Sequence, residues 1–196
     1  MDTNQIEVNQ ELAEPQPRKS GFLRFFKDVL ETLILSIVLF VGVNVISARI
    51  RVDGASMEPT LTTGEYVVLN RLSYRVGTPQ RGDIIVFHPP TEPQDEYIKR
   101  VIGLPGDEVE VRDGTVYVNG QPLDETYLNT KTNYPGTWRV PAGQLFVLGD
   151  NRNNSQDSHE FGTISMGSVV GKAVLVYWPP TDWAMITHVP LVNAAH

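Results

Sequence analysis

The sequence predicts a mainly β fold: one N-terminal transmembrane helix, then an exported β-sheet, barrel-like domain carrying a small inserted β subdomain. Three observations predict it. Between Thr32 and Ala48 the chain is apolar and uncharged for seventeen residues. Beyond Arg51, short runs of β-branched and aromatic residues alternate with turn signals. No long amphipathic helical period appears after residue 52.

Residues 1–20 are polar, Pro-containing and poor in large apolar side chains, the composition of a disordered cytoplasmic tail. The segment 21–49 reads as a membrane anchor, with its transmembrane helix over about 30–48. Seventeen residues at helical rise cover about 25 Å, slightly short of a ~30 Å hydrocarbon core. Phe22, Phe25 and Phe26, with Lys27 snorkelling, extend it at the near interface. The upstream basic cluster (Arg18, Lys19, Arg24, Lys27) outweighs Arg49 and Arg51 downstream, which favours the N-terminus inside and the rest outside. A cleavable signal peptide fits less well, because the apolar run exceeds the ~7–15 residue core of such peptides. A buried core helix fits less well too, because no charge interrupts the run.

Strands are expected over Glu65–Leu69, Asp83–Phe87, Tyr97–Ile102, Glu108–Val111, Thr115–Val118, Gln144–Leu148 and Val169–Trp178. Arg112-Asp113-Gly114-Thr115 between two alternating runs is a hairpin signal, and Asn119-Gly120 closes a further turn. The stretch 107–143, rich in turn residues, reads as a subdomain inserted between two parts of a catalytic β domain (50–106 and 144–180). Residues 181–196 read as a C-terminal tail.

Composition narrows the chemistry. A net charge of −7 argues against a nucleic-acid partner, since phosphate binding wants a basic face. The absence of cysteine removes disulfides, thiolate catalysis and Cys-ligated metal sites. No His-Glu-x-x-His, phosphate loop or carboxylate-rich cation loop is present, so no metal or cofactor is expected.

What remains is a serine and a lysine. Ser56 sits in Gly54-Ala55-Ser56-Met57-Glu58-Pro59-Thr60, a turn in which Gly54 permits close approach of a ligand and Pro59 fixes the chain beyond. A serine in such a turn commonly serves only as a cap or turn residue. Lys99 lies in the apolar run Tyr97–Ile102, where alternation puts Tyr97, Lys99 and Val101 on one face and Ile98, Arg100 and Ile102 on the other. An edge-strand or snorkelling lysine is the plain alternative. A neutral lysine can instead activate a serine. At its reference pKa only about one lysine in two thousand is neutral at pH 7. Desolvation lowers that pKa, and an alkaline activity optimum follows.

The polar run Gly149–Gly162 supplies candidate support. Ser155 can orient a neutral lysine, while Asp150, Arg152 and Asp157 brace the loop by ion pairing. A Ser-His-Asp arrangement is the weaker rival, with His159 the best-placed histidine. Substrate-binding candidates are Asp53, Gly54, Ala55, Met57, Tyr97 and Ile98, with docking walls at Val52–Ala55 and Asp95–Ile98.

Four boxes in order carry a resemblance: Gly-x-Ser-Met-x-Pro-Thr (54–60), Arg-Gly-Asp-Ile-Ile-Val-Phe (81–87), Tyr-Ile-Lys-Arg-Val-Ile-Gly-Leu-Pro-Gly-Asp (97–107) and Gly-Asp-Asn-Arg-x-Asn-Ser-x-Asp-Ser (149–158). From the anchor to about residue 180 the chain resembles bacterial type I signal peptidases of the short, single-anchor kind. The resemblance implies that Ser56 attacks the scissile carbonyl, with Lys99 as general base and then acid. It implies that Ser155 orients Lys99 and that the Ser56 backbone N–H helps bind the oxyanion. It also implies the partners: exported preproteins cut after a small-x-small tripeptide such as Ala-x-Ala, at the surface of a lipid bilayer. Two positions depart from many relatives. Gly54 stands where some carry a serine that completes the oxyanion hole, and His159 stands where many carry arginine, leaving a weaker and pH-dependent pair with Asp157. Two rivals stay in view. A self-cleaving Ser-Lys peptidase of the repressor type would carry a DNA-binding head in place of the anchor, and a membrane-tethered peptide-binding β-module would lack activity.

Overall fold

The structure, a computed structural model, describes residues 21–188. The expected tail at 1–20 and the stretch 189–196 lie outside the described residues. The chain divides into two units, one ending at Gly42 and one beginning at Val43.

The first unit is the body of helix α1 (Gly21–Ile46). At 26 residues it is about 39 Å long at helical rise, and its best window has a mean hydropathy of 2.4 with no buried residue. It is long and apolar enough to cross a membrane. Thr32 and Ser36 donate their hydroxyls to the carbonyls of Asp28 and Thr32, so neither presents an unsatisfied donor to an apolar surround. The helix begins earlier and ends earlier than the apolar run suggests. Ser47 and Ala48, expected at the end of the helix, are the first residues of a strand.

That strand, β1 (Ser47–Arg51), opens the second unit and pairs with β2 (Tyr66–Asn70) from Ser47↔Asn70 to Arg51↔Tyr66. A one-turn helix α2 (Ser73–Val76) leads to β3 (Ile84–Phe87) and β4 (Tyr97–Gly103). Next come β5 (Glu108–Arg112), β6 (Thr115–Val118), β7 (Gln121–Pro122) and β8 (Gly136–Arg139), then β9 (Gln144–Leu148), the turn α3 (Ser158–Phe161), β10 (Ile164–Ser165), β11 (Val169–Trp178) and β12 (Ala184–Met185). The main sheet is antiparallel in the order β1-β2-β11-β3-β4-β9-β10, with β12 added on β11; a second sheet runs β7-β6-β5-β8. Asp113 at φ +52 and Asn119 at φ +52 begin the two tight turns expected from their sequences.

The seven expected strands form, to within a residue or two at each end. The five others are short or come directly after an apolar helix, so their alternation is too brief to register. Residues 181–188 are not a free tail. Ala184 and Met185 pair with Val176 and Leu175, Trp183 Nε1 donates to the Tyr177 carbonyl, and His188 Nδ1 lies 3.2 Å from Asp83.

β3 and β4 lie at the centre of the core, buried on both faces. Ile84 and Val86 pack with Val52, Met57 and Leu61, while Ile85 and Phe87 pack with Val101 and Leu145. Ile102 reaches a third cluster with Val109 and Val111 of the second sheet. A lysine placed mid-strand in β4 is therefore buried whichever face it takes.

Candidate active site

The turn that carries Ser56 is set by its neighbours. Gly54 adopts φ +87, a region costly for a residue with a Cβ. Met57 and Leu61, both fully buried, root the turn in the core, and the Leu61 N–H donates to the Met57 carbonyl at 2.9 Å. Burial of Met57 corrects the expectation that it lines a substrate surface. Its side chain holds Ser56 up from beneath instead. The other side of the turn is stapled to the 149–158 loop. Asn151 N–H donates to the Ser56 carbonyl at 3.0 Å and Asn151 Nδ2 to the Ala55 carbonyl at 3.1 Å.

Lys99 comes from β4, with 4% of its surface exposed. Its Nζ lies 2.8 Å from Ser56 Oγ and 3.0 Å from the Ile98 carbonyl, and 5.2 Å from the centre of the Tyr97 ring. Burial brings its pKa down to about 8, against the opposing pull of the Asp157 and Asp150 charges. As an ammonium Lys99 donates to Ser56 Oγ. As a neutral amine it accepts the hydroxyl proton over the same 2.8 Å, which is the geometry a general base requires.

The two carboxylates that oppose the shift are each engaged by other partners. Arg100, on the opposite face of β4, donates Nε and Nη2 to the two oxygens of Asp150 at 2.8 and 2.6 Å. Thr60 Oγ1 donates to the same carboxylate at 2.5 Å. Asp157, fully buried, accepts from the Gly149 N–H at 2.9 Å and from the His159 N–H at 3.2 Å, and its Oδ1 lies 2.7 Å from His159 Nδ1. That contact raises the His159 pKa. His159 also stacks on Tyr134, ring centres 4.0 Å apart.

Arg152 braces the loop through an ion pair with a residue outside it. Its guanidinium, fully buried, grips Glu125 from the loop after β7 with bonds of 2.9 and 2.5 Å, and its Nε donates to the Gly149 carbonyl. Glu125, Arg100, Thr60 and Asn151 are the supporting residues that reading the sequence missed. For Arg100 a signal existed, since alternation places it with Ile98 and Ile102 on an apolar face where a cation must find a partner.

Ser155 is buried and its hydroxyl makes no hydrogen bond, so the expected bond to Lys99 is not formed. It is nonetheless close by. A Cβ on Gly149 would collide with both Ser155 Oγ and the Ser56 carbonyl, so these atoms flank the same glycine. Among the described residues no histidine bonds Ser56: His159 turns to Asp157, His88 to the Asp95 carbonyl and His188 to Asp83.

Ser56 and Lys99 open into a cleft of about 700 Å³. One wall is Arg49–Arg51 with Asp53, Gly54 and Ala55; the other is Asp95–Ile98, with Asn154 and Gln156 beyond. Asp53, Gly54, Ala55, Tyr97 and Ile98 thus meet at one cleft. The arrangement offers an extended backbone slot over a serine hydroxyl that faces a desolvated amine, which suits acyl transfer from a peptide.

Residues 25–178 match the family described as signal peptidase, peptidase S26. A signal peptidase I of Leptolyngbya laminosa is 44% identical over 160 residues, covering 76% of this chain and 78% of its own. One from Bacillus caldolyticus is 41% identical over 167 residues (78% and 88%), and signal peptidase IB of Staphylococcus aureus strain COL is 39% identical over 180 residues (80% and 93%). With its mainly β fold, its Ser56–Lys99 contact and a match across most of its length, the chain belongs to the signal peptidase family, peptidase S26.

Proposed function

We propose that the protein is a membrane-anchored serine endopeptidase that removes N-terminal signal peptides from exported preproteins after small-x-small sites, using a Ser56–Lys99 dyad. The observation that carries the reading is the 2.8 Å approach of a buried, unpaired lysine to Ser56 Oγ at the floor of an open cleft. The preprotein lies as an added strand between Arg49–Ala55 and Asp95–Ile98, which places its scissile carbonyl over Ser56. Neutral Lys99 takes the hydroxyl proton as Oγ bonds to the carbonyl carbon. The oxyanion is met by the Ser56 N–H and, with no side chain at Gly54, by a backbone or water donor. Collapse breaks the C–N bond, and Lys99 returns the proton to the leaving amine. Water then adds to the ester, giving a proton to Lys99; the Oγ–C bond breaks, Lys99 returns that proton to Ser56 Oγ, and the signal peptide leaves with its new carboxyl group, which ionises in solution. Ser155, buried beside the Ser56 turn with a free hydroxyl, swings to bond Nζ and orient it. α1 is the anchor, with its N-terminus cytoplasmic and the β domain outside.

Purified full-length protein incubated with a preprotein bearing an Ala-x-Ala site tests this. Cleavage after that site should fall by about 10⁴-fold in both Ser56→Ala and Lys99→Ala. Because the base must be neutral, the rate should rise about tenfold per pH unit at low pH and level off above about 8. Undiminished cleavage in either variant would sink the dyad, and no cleavage by the wild type would favour a peptide-binding module.

A further inference from the structure

A second cavity, of about 400 Å³, lies away from the dyad between α2 and the start of β11. It is lined by Arg71, Tyr74 and Arg75 together with Met166, Gly167, Val169 and Val170. Both arginines are exposed, and among the described residues neither has a carboxylate partner, although the chain as a whole carries a net charge of −7. The walls are held in place. Tyr74 OH donates to the buried Asp83 at 2.9 Å, and Asn70 Oδ1 accepts from the N–H groups of Leu72 and Ser73.

Register fixes the level of this cavity. Ser47, the first residue beyond α1, pairs with Asn70, and Asn70 pairs in turn with Lys172. The Arg71 N–H donates to the carbonyl of Ile46, the last helical residue, at 2.9 Å. Arg71 therefore adjoins the point where the chain leaves the helix, and Arg75 and Val169–Val170 share its cavity. Val76, beside Arg75 on α2, is 88% exposed. If α1 crosses a bilayer, that level is the headgroup layer of the leaflet into which the chain emerges. Two guanidinium groups beside Met166, Val169 and Val170 match an amphiphile with an anionic head: the forks bind phosphate oxygens, and the apolar side chains meet glycerol and the first methylenes.

We infer that this cavity binds the phosphate headgroup of an anionic phospholipid, fixing the β domain against the membrane surface. The inference rests on the reading of α1 as the membrane anchor. The test uses the full chain reconstituted in nanodiscs of equimolar phosphatidylglycerol and phosphatidylcholine, with co-released lipids identified by native mass spectrometry. The wild type should retain phosphatidylglycerol in preference to phosphatidylcholine. The Arg71→Gln/Arg75→Gln variant should lose about thirtyfold of that preference, roughly fivefold per arginine. The exposed Arg139→Gln, on β8, should leave it unchanged. Equal retention by the wild type and the double variant would overturn the site, as would an equal loss in Arg139→Gln or displacement of the lipid by millimolar inorganic phosphate. Cleavage of a soluble peptide in detergent should be the same for all three proteins. Should the double variant lose it, Arg75→Gln alone carries the comparison. Failure of the wild type to enter the nanodisc would refute the anchor rather than the lipid site.

Discussion

Lys99 and Arg100 are neighbours on one strand, both almost fully buried, and they meet opposite fates on the two faces of β4. Arg100 faces a carboxylate that fits its fork, and the pairing raises its pKa. Lys99 faces a serine hydroxyl and a backbone carbonyl, and burial takes its pKa down to about 8. Each carboxylate near enough to rescue the lysine is already engaged: Asp150 by Arg100, Asp157 by His159 and two backbone N–H groups. The difference shows how a β domain brings the pKa of a base down towards neutrality while its own scaffold stays charged. Burial alone is common to both cations; what separates them is which one is given the anion.

The largest test of this contrast is Arg100→Met. It leaves Asp150 buried without its ion pair, at a cost of about 3–5 kcal/mol, and should lower Tm by about 10 °C. The freed negative charge should also hold Lys99 protonated to higher pH, moving the rise in activity to the alkaline side. A Tm within a degree or two of wild type would break the comparison.

The matching change on the other face should act in reverse. The folded-state pKa of Lys99 lies below its unfolded value, so the unfolded chain binds the extra proton between about pH 8 and 10.5 and stability rises over that window. Below it, the buried lysine costs about 3 kcal/mol. Lys99→Met should therefore be inactive yet more stable than wild type at pH 7, with the gain fading towards pH 10.5. Denaturant unfolding at both pH values checks it, and a destabilised variant at pH 7 contradicts it.

Removing the opposing charges should sharpen the difference further. Asp157→Asn and Asp150→Asn should each move the rise in activity to lower pH, Asp157→Asn more, because Asp157 exerts the larger pull on Lys99. pH–rate profiles for a peptide substrate read this directly, and a shift to higher pH would count against it.

The smallest effect is at His159, on the partly exposed rim. Its pKa is raised by Asp157, so its contribution is complete below its unfolded value near 6.5 and is lost as pH rises through the folded value. His159→Gln should cost under about 1 kcal/mol at pH 5.5 and less at pH 9. A loss independent of pH would assign the role of His159 to its stacking on Tyr134 instead.

Much of this site is legible along the chain because it depends on local pattern. Ser56 is marked by a glycine before it and a proline after it, and Lys99 by the apolar alternation it interrupts. The strands from β2 to β6, with β9 and β11, show their period over four or more residues. The pairing of Arg152 is not legible, because Glu125 is 27 residues away on another sheet's loop. Met57 misleads because an apolar residue beside a nucleophile can face substrate or core with the same sequence. β1 is hidden because Ser47 and Ala48 continue an apolar run whose composition does not say where the helix stops.

By itself the sequence determined the apolar helix, the β character of the chain beyond it, and a serine and a lysine in unusual surroundings. These properties reside in short windows, where periodicity and turn chemistry act. Only the tertiary structure decided that the two residues meet at 2.8 Å. It also decided that Arg100 rather than Lys99 receives Asp150, that Met57 lies beneath the turn, and that β1 forms one wall of the cleft. Those outcomes depend on antiparallel register between segments tens of residues apart, and on competition among buried charges for a few partners, which no local pattern encodes.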